Sequence, residues 1–182
     1  MAKVVCLIGS AASGKDTILN KCVDFCEPII SVTSRKMRDT ECGNEYIFCS
    51  NELIENYIKK DALIEYRKRI VDGKLAYYGV LKDSIDLDSD EKYIVILDND
   101  GYKKMKRYVG DNNIVSIYIE CNDELRMKRI KERQPSITDE EILARFEDDR
   151  DTIEKNKDVY DYRFKNENKE DFDRIVEFIK AI

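Results

Sequence analysis

The 182-residue chain contains no histidine, only two prolines and seven glycines, and no long run of apolar residues. Without histidine the commonest general base is missing, so any catalysis must use carboxylates, cations or a metal ion. The six cysteines form no Cys-x-x-Cys pair, so the usual ligand spacing of a structural zinc site is missing as well. The first apolar run covers only residues 4–8 and is too short for a signal-peptide core or a membrane span. We therefore expect a soluble, cytoplasmic protein with no membrane partner.

An excess of one charge is also missing from the sequence. The chain carries 32 Lys and Arg against 38 Asp and Glu, a formal net charge of −6, with the two signs interspersed. This balance does not fit a disordered polyelectrolyte or a dedicated nucleic-acid binder. A hydrophobic content of 42% over this length predicts one compact domain with a substantial core. The cysteines are scattered through a chain with no export signal, which favours free thiols over disulfides.

Apolar runs alternate with helical patterns along much of the chain. Buried strands are predicted at residues 4–8, 93–97 and 114–119. Helices are predicted at residues 15–25, from after residue 97 to about residue 110, at 123–133 with Asn122 as cap, and at about 138–157. This alternation predicts an α/β fold with a parallel sheet and right-handed crossovers. Between residues 29 and 88 the pattern breaks into short pieces, which we interpret as an inserted lobe.

The segment Gly9-Ser10-Ala11-Ala12-Ser13-Gly14-Lys15 directly follows the first predicted strand and precedes a predicted helix. It matches the phosphate-binding loop, in which backbone N–H groups cradle phosphate oxygens and the lysine reaches the β and γ phosphates. We therefore predict that these seven residues, with Asp16 and Thr17, bind ATP. The pattern calls for Ser or Thr after the lysine as a magnesium ligand, but the chain has Asp16. Asp16, acting through water, and Thr17 are the alternative Mg²⁺ ligands.

Two arginines three residues apart, Arg35 and Arg38, can make forked contacts to a phosphate dianion. Together with the loop, the pattern Ser-x-Thr-x-Arg-x-x-Arg, which runs from Ser31 to Arg38, resembles the guanylate kinase family. The pattern Gly-x-x-Tyr-x-Phe, ending at Phe48, follows it. The resemblance continues in order through Leu63-Ile64-Glu65-Tyr66, Tyr77-Tyr78-Gly79, Ile96-Leu97-Asp98-Asn99-Asp100, Arg129, Arg133 and Arg145. It spans nearly the whole chain, and its parts together are far more specific than any one of them.

The resemblance implies a single-domain P-loop kinase. Such a kinase has a central parallel sheet flanked by helices, an inserted small mixed α/β lobe that binds the nucleoside monophosphate (NMP), and a short helical lid. The expected core covers residues 1–32, 89–128 and 146–182, the NMP-binding lobe about 33–88 and the lid about 129–145. The implied reaction is phosphorylation of GMP or dGMP by ATP, with Mg²⁺ as cofactor and small-molecule nucleotides as partners. We expect a monomer or a homodimer.

The resemblance also implies roles for individual residues. The acceptor phosphate is expected to be held by Ser31, Arg35, Arg38, Tyr46 and Tyr78. Glu65 is expected to accept hydrogen bonds from guanine N1 and N2, and Asp98 to lie near the acceptor and organise Mg²⁺ through water. The expected catalytic groups around the triphosphate are Lys15, Arg129, Arg133 and Arg145. Asn166 is expected near the adenine.

Two features depart from the family pattern. Val80 stands where the family usually has Ser or Thr, so it cannot donate a hydrogen bond to guanine O6. The chain between Glu65 and Tyr78 is also about four residues longer than usual. This insertion contains Arg67-Lys68-Arg69, which we interpret as an exposed strand or hairpin tip.

Three other functions remain open from the sequence. Ribose 1,5-bisphosphate phosphokinases share Gly-Lys-Asp in the loop and Tyr-Tyr-Gly-Val, both present here, but Arg35, Arg38, Tyr46 and Glu65 favour a nucleotide with a base to read. A non-catalytic guanylate-kinase-like binding module is expected to lose the loop lysine and the lid arginines, which this chain keeps. A plain P-loop ATPase or GTPase leaves the lid and the acceptor residues unexplained.

Overall fold

The computed structural model describes residues 2–37, 46–71, 73–152 and 159–182. In chain order the described elements are β1 (Lys3–Ile8), α1 (Lys15–Cys22), β2 (Glu27–Pro28), β3 (Val32–Thr33), β4 (Ile47–Phe48), α2 (Asn51–Lys59), β5 (Leu63–Val71), β6 (Lys74–Leu81), β7 (Lys92–Ile96), α3 (Asn99–Val109), β8 (Ile114–Glu120), α4 (Asp123–Arg133), α5 (Asp139–Thr152), β9 (Tyr162–Lys165) and α6 (Lys169–Ala181).

The main sheet is parallel throughout and has the strand order β2-β7-β1-β8-β9. Its central strand, β1, is buried on both faces, with Cys6, Leu7 and Ile8 fully inaccessible to solvent. One face carries α3, whose Tyr102 and Met105 pack on the sheet, and the other carries α1 and α6. This architecture confirms the predicted α/β fold with a central parallel sheet flanked by helices.

A second sheet of four strands has the order β4-β3-β6-β5 and mixes parallel and antiparallel pairs. It contains its own small core, in which Ile54 of α2 packs on Val32, Leu63 and Tyr77. The β5–β6 hairpin is long, with paired residues from Leu63 opposite Leu81 to Val71 opposite Lys74. The insertion noted in the sequence therefore lengthens this hairpin.

Most predicted elements of the main sheet are confirmed within one or two residues, and Asn122 caps α4 by accepting a hydrogen bond from the Leu125 N–H. The first helix is an exception, because it ends at Cys22 rather than at residue 25. The N–H groups of Phe25 and Cys26 both donate to the Cys22 carbonyl, so the chain turns at once towards β2. β9 and α6 were not predicted from the sequence.

The described cysteines are free thiols, as predicted: Cys6, Cys22, Cys26, Cys49 and Cys121. Cys42 lies outside the described residues. Within the ranges that the structure describes, no helix is both long enough and apolar enough to cross a membrane.

The connections that follow β1, β7 and β8 all emerge at the carboxyl edge of the main sheet, because the strands are parallel. They carry the predicted phosphate-binding loop, Asp98 and the start of α4. Ligands of open parallel α/β sheets bind at this edge. The topology therefore brings together residues that are far apart in the sequence.

Candidate active site

The phosphate loop, residues 9–15, connects β1 to α1 as predicted. Gly14 has a φ of 96°, in the left-handed region that favours glycine, and a Cβ there would collide with the side-chain amide of Asn166. Asn166 is buried and donates from Nδ2 to the Ser13 carbonyl at 2.8 Å. Gly14 thus allows close contact between the loop and the residue after β9.

The Lys15 ammonium folds back over the loop. Its Nζ donates to the Ser10 carbonyl at 2.8 Å and to the Ser13 hydroxyl at 3.4 Å. Burial lowers the pKa of Lys15 to about 8, against the opposing effect of Asp16 and Asp149. The charged form is therefore poorly solvated in the free protein, and an anion in the loop would stabilise it.

A cavity of about 390 Å³ lies beside the loop. Its lining includes Gly14, Thr17, Arg129, Arg133, Asn166 and Phe172. The Arg129 guanidinium donates to the Ala12 carbonyl at 3.2 Å and to the Asn166 carbonyl at 3.1 Å, so it is fixed between the loop and the residue after β9. We call this space the loop cavity.

The three predicted lid arginines are placed differently. Arg129 and Arg133 line the loop cavity, and Nε of Arg133 donates to the Arg129 carbonyl at 3.4 Å. Arg145 lies on α5, where its Nη1 donates to Oε1 of Gln134 at 3.1 Å, and it is not part of the cavity lining. Two of the three predicted arginines therefore already meet the loop, and Arg145 does not.

A buried ion pair, which was not predicted from the sequence, contacts the phosphate loop. Arg126 of α4 pairs with Asp149 of α5, and its guanidinium lies 4.0 Å from the ring centroid of Phe146. Asp149 also accepts a hydrogen bond from the Ala11 N–H at 2.8 Å. An arginine among the charged residues of α4 and α5 gives no sequence signal of burial.

Several predicted acceptor residues meet on the second sheet. Tyr46 and Tyr78 contact edge to face with ring centroids 5.8 Å apart, and the buried Arg35 guanidinium lies 5.4 Å from the Tyr46 centroid. Burial raises the pKa of Tyr46, and the Asp16 carboxylate of the phosphate loop adds to this effect. The phosphate loop, through Asp16, therefore acts electrostatically on Tyr46. Ser31 precedes β3, and Arg38 lies outside the described residues.

Glu65, Arg67 and Asp98 form a second polar group, which we call the carboxylate–arginine cluster. Arg67 donates from Nη1 to Oδ2 of Asp98 at 2.7 Å, and its guanidinium carbon lies 5.4 Å from the Tyr78 centroid. Asp98 Oδ1 caps α3 by accepting from the Gly101 N–H at 2.9 Å. Burial alone would raise the pKa of Asp98, but Arg67 and this N–H hold it below its usual value.

Glu65 is only 4% exposed. Burial raises its pKa to about 7, and the Asp98 carboxylate adds to the effect while Arg67 opposes it. A Cβ on Gly101 would lie 3.4 Å from Oε2 of Glu65 and 3.2 Å from Oδ1 of Asp98. Glycine at this position therefore leaves room for both carboxylates. Glu65 is therefore a desolvated acceptor whose charge an incoming donor would stabilise.

Arg67 departs from the interpretation of the inserted triplet as an exposed strand or hairpin tip. Lys68 and Arg69 are exposed, but Arg67 is half-buried and bound to Asp98. Within the described part of the chain, the buried Nε of Arg67 has no hydrogen-bond acceptor. Arg67 and Glu65 are two residues apart on β5, so both lie on one face of the strand, and a strand prediction alone could have used this signal.

Val80, the other departure from the family pattern, is buried in the core of the main sheet.

The predicted magnesium ligands are not gathered at one point. Asp16 and Thr17 are exposed in the first turn of α1 and line the loop cavity, whereas Asp98 is bound to Arg67 and the Gly101 N–H. Over the described ranges, no three Cys, Asp or Glu side chains form a cluster that could hold a metal ion. A carboxylate beside a phosphate site nevertheless fits an ion that keeps most of its water and shares ligands with phosphate oxygens.

The guanylate kinase family model matches residues 1–182. The chain belongs to the guanylate kinase family. A guanylate kinase of Buchnera aphidicola subsp. Baizongia pistaciae (strain Bp) is 30% identical over 147 residues, covering 75% of this chain and 69% of the relative.

Solved structures show the same fold. A guanylate kinase of Anaplasma phagocytophilum superposes with a TM-score of 0.70 at 23% identity, covering 99% of this chain and 85% of that one. A gluconokinase of Sinorhizobium meliloti 1021 gives a TM-score of 0.52 at 12% identity, covering 98% of this chain and 90% of that one.

Proposed function

We propose that this member of the guanylate kinase family transfers the γ-phosphoryl group of ATP to GMP or dGMP, giving ADP and GDP or dGDP. One observation carries the proposal beyond family membership. The phosphate loop with Lys15 follows β1, and Asp98 of the carboxylate–arginine cluster follows the neighbouring strand β7, so the loop and the cluster that contains the desolvated Glu65 belong to adjacent strand ends. The first suits a triphosphate, and the second suits a base that presents two N–H donors side by side.

The proposed mechanism is direct in-line transfer. The acceptor phosphate oxygen is already anionic and needs no strong base, which suits a chain without histidine. Lys15, Arg129 and Arg133 neutralise charge on the transferring group, and Arg145 joins them when the lid closes. Ser31, Arg35, Arg38, Tyr46 and Tyr78 hold the acceptor phosphate. Positioning and charge compensation supply most of the catalysis.

We assign the magnesium ion to Asp16 and Thr17, with contacts through water. When bound, the ion neutralises charge on the β and γ phosphates. The substitution of Asp for the usual Ser or Thr adds a negative charge there, which favours binding of a cation. Because both oxygens of Asp98 are already engaged, we regard its first role as orienting Arg67. A water-mediated role of Asp98 at the metal stays a prediction.

Guanine recognition is assigned to Glu65 and Arg67. Glu65 accepts from N1 and N2 of the base. Val80 has no donor for O6. Arg67 interacts with Glu65 and has a donor, Nε, without an acceptor in the described structure, so we assign the contact to O6 to its guanidinium. Arginine is a common partner for the acceptor edge of guanine.

The test is an ADP-release assay with ATP and Mg²⁺ that offers several acceptors in parallel: GMP, dGMP, AMP, UMP, CMP, 2-aminopurine riboside monophosphate and ribose 1,5-bisphosphate. We expect GMP or dGMP to give the highest kcat/KM. The 2-aminopurine nucleotide keeps the 2-amino group but lacks both O6 and the hydrogen on N1, so it loses contacts to Arg67 and to Glu65 and should fall about tenfold or more below GMP. Turnover of the sugar bisphosphate alone would replace the proposal with ribose 1,5-bisphosphate phosphokinase. Inactivity with every acceptor would favour a binding module.

We further propose that the second sheet and α2 form the NMP-binding lobe, at about residues 33–88, and that residues 129–145 form the lid. Water competes with the acceptor for the phosphoryl group, so both should close only when both substrates are bound. X-ray scattering should give a smaller radius of gyration with a bisubstrate analogue than with ATP alone. Identical curves for the two would contradict closure.

All groups assigned here come from one chain, so the scheme works for a monomer or a homodimer. The expected location in the cytoplasm likewise stays a prediction.

A further inference from the structure

The buried ion pair between α4 and α5 is not used by the proposed chemistry. The Arg126 side chain is 1% exposed, yet it carries a full charge in the interior. Its Nη2 donates to Asp149, and its Nη1 donates to Oδ1 of Asp123 at 2.7 Å. Its guanidinium also stacks on the Phe146 ring, 4.0 Å from the centroid. These three interactions fix its orientation.

The same pair holds one residue of the phosphate loop from both sides. Nε of Arg126 donates to the Ala11 carbonyl at 2.9 Å, and Oδ2 of Asp149 accepts from the Ala11 N–H at 2.8 Å. The next residue, Ala12, has a φ of 61°, and its methyl group packs on the small apolar cluster that contains Ile130. Ala11 and Ala12 are thus bound to α4 and α5.

We propose that Arg126 and Asp149 are positioning residues for ATP. They fix the orientation of the Ala11 peptide and with it the course of the loop towards Gly14 and Lys15, beyond the Ser13 N–H, which donates to the Ser10 carbonyl at 3.2 Å. Since the Ala11 N–H is committed to Asp149, the phosphate must be bound further along the loop, near Gly14 and Lys15. This inference rests on the proposed binding of ATP by the loop and is independent of the acceptor.

Stability alone gives a weak reason for this pair. Replacing a buried ion pair by apolar residues of similar volume is often neutral or stabilising. The neighbours of Arg126 include Phe146 and Ile130, so an apolar side chain would fit the site well. Apolar residues, however, cannot make the two hydrogen bonds to Ala11.

The pair also connects the shape of the loop to the lid. α4 carries Arg129 and Arg133, and α5 carries Arg145 in addition to Asp149. The ATP-binding conformation of the loop favours the packed arrangement of α4 and α5 through these contacts. Because coupling between two equilibria is reciprocal, ATP binding in turn stabilises that arrangement. ATP binding should therefore protect the backbone amides of α5 from hydrogen exchange.

The test uses the double variant Arg126→Met/Asp149→Leu in the full chain. It removes both charges together, because a single replacement would leave an unpaired buried charge and endanger folding. The expected result is a melting temperature close to that of the wild type and an ATP dissociation constant raised about 10- to 100-fold, measured by calorimetry without acceptor. The KM for GMP should change little, and the ATP-dependent protection of α5 should disappear.

Arg150→Met is the matched control. Arg150 also joins α4 and α5, through an exposed contact of 3.2 Å to Oδ2 of Asp123, but no contact to the phosphate loop is seen in the described structure. It should leave the affinity for ATP unchanged. Wild-type ATP affinity in a folded double variant would overturn the inference. A wild-type protein that fails to bind ATP would instead overturn the proposed function, so the two failures are distinguishable.

Discussion

Lys15→Ala should lower kcat by roughly 10³-fold or more while the protein stays folded. The Lys15 ammonium lies over the loop at 2.8 Å from the Ser10 carbonyl, half-buried and partly desolvated. A charge that compensates the transferring phosphoryl group is worth most in such a site. The measurement is steady-state turnover of ATP and GMP, together with thermal unfolding.

Folding should survive this change for an electrostatic reason. Burial holds the pKa of Lys15 near 8, so the free protein gains no stability from this charge and loses none when it is removed. Lys21→Ala is the control, because Lys21 is exposed in the last turn of the same helix. Near-normal turnover in Lys15→Ala would contradict the assignment of the loop.

The same pKa predicts how ATP binding depends on pH. The ammonium form of Lys15 binds phosphate, and above pH 8 the free protein loses that form. The affinity for ATP should therefore fall as the pH rises through 8, by up to tenfold per pH unit. In Lys15→Ala this part of the dependence should be missing.

Glu65→Gln should lower kcat/KM for GMP by about 10- to 100-fold and reduce the preference for GMP over AMP. A carboxylate accepts from N1 and N2 of guanine at once, whereas an amide turns one acceptor into a donor that faces another donor. The control is Glu52→Gln, an exposed residue in the first turn of α2. An unchanged preference for GMP would exclude Glu65 as the residue that reads the base.

The stability of this variant separates lost recognition from unfolding. In the folded protein the pKa of Glu65 is about 7, above its value in the unfolded chain, so the native state binds more protons between about pH 4.5 and 7. The contribution of Glu65 to stability is therefore lost as the pH rises through 7. Glu65→Gln should be more stable than the wild type at pH 8, on the order of 2–3 kcal/mol, and the difference should shrink towards pH 5. Equal stability of the two proteins at pH 8 would show that Glu65 is not desolvated.

Local patterns were enough to predict the three central strands of the main sheet, β7, β1 and β8, and the phosphate loop. Residues 4–8 form a run that only a strand buried on both faces explains, and the loop follows it immediately. Asn122 was recognisable as a cap because capping depends on the next three residues only. The resemblance to guanylate kinases, spread over nearly the whole chain, added Glu65 and Arg35 to the site.

Arg67, Arg126 and Asp149 could not be assigned in the same way. Arg126 and Asp149 lie in highly charged helical segments, where burial of one charge leaves no trace in the periodicity. The alternation of Arg67 with Glu65 indicates a shared face of β5, but it does not reveal the partner of Arg67. Arg67 is half-buried against Tyr78 and Asp98, which come from another strand and from the other sheet. Arg126 and Asp149 are 23 residues apart and meet because α4 and α5 pack together on the loop.

The sequence by itself determined the fold class, the loop, its lysine and the family, because these depend on short-range spacing and on residue types in order. The tertiary structure alone decided which charges are buried and what they hold: Arg67 against Asp98, and the ion pair around Ala11. The reason is that desolvation and hydrogen bonding depend on neighbours supplied by distant segments. A charged side chain looks the same in a sequence whether water or another helix surrounds it.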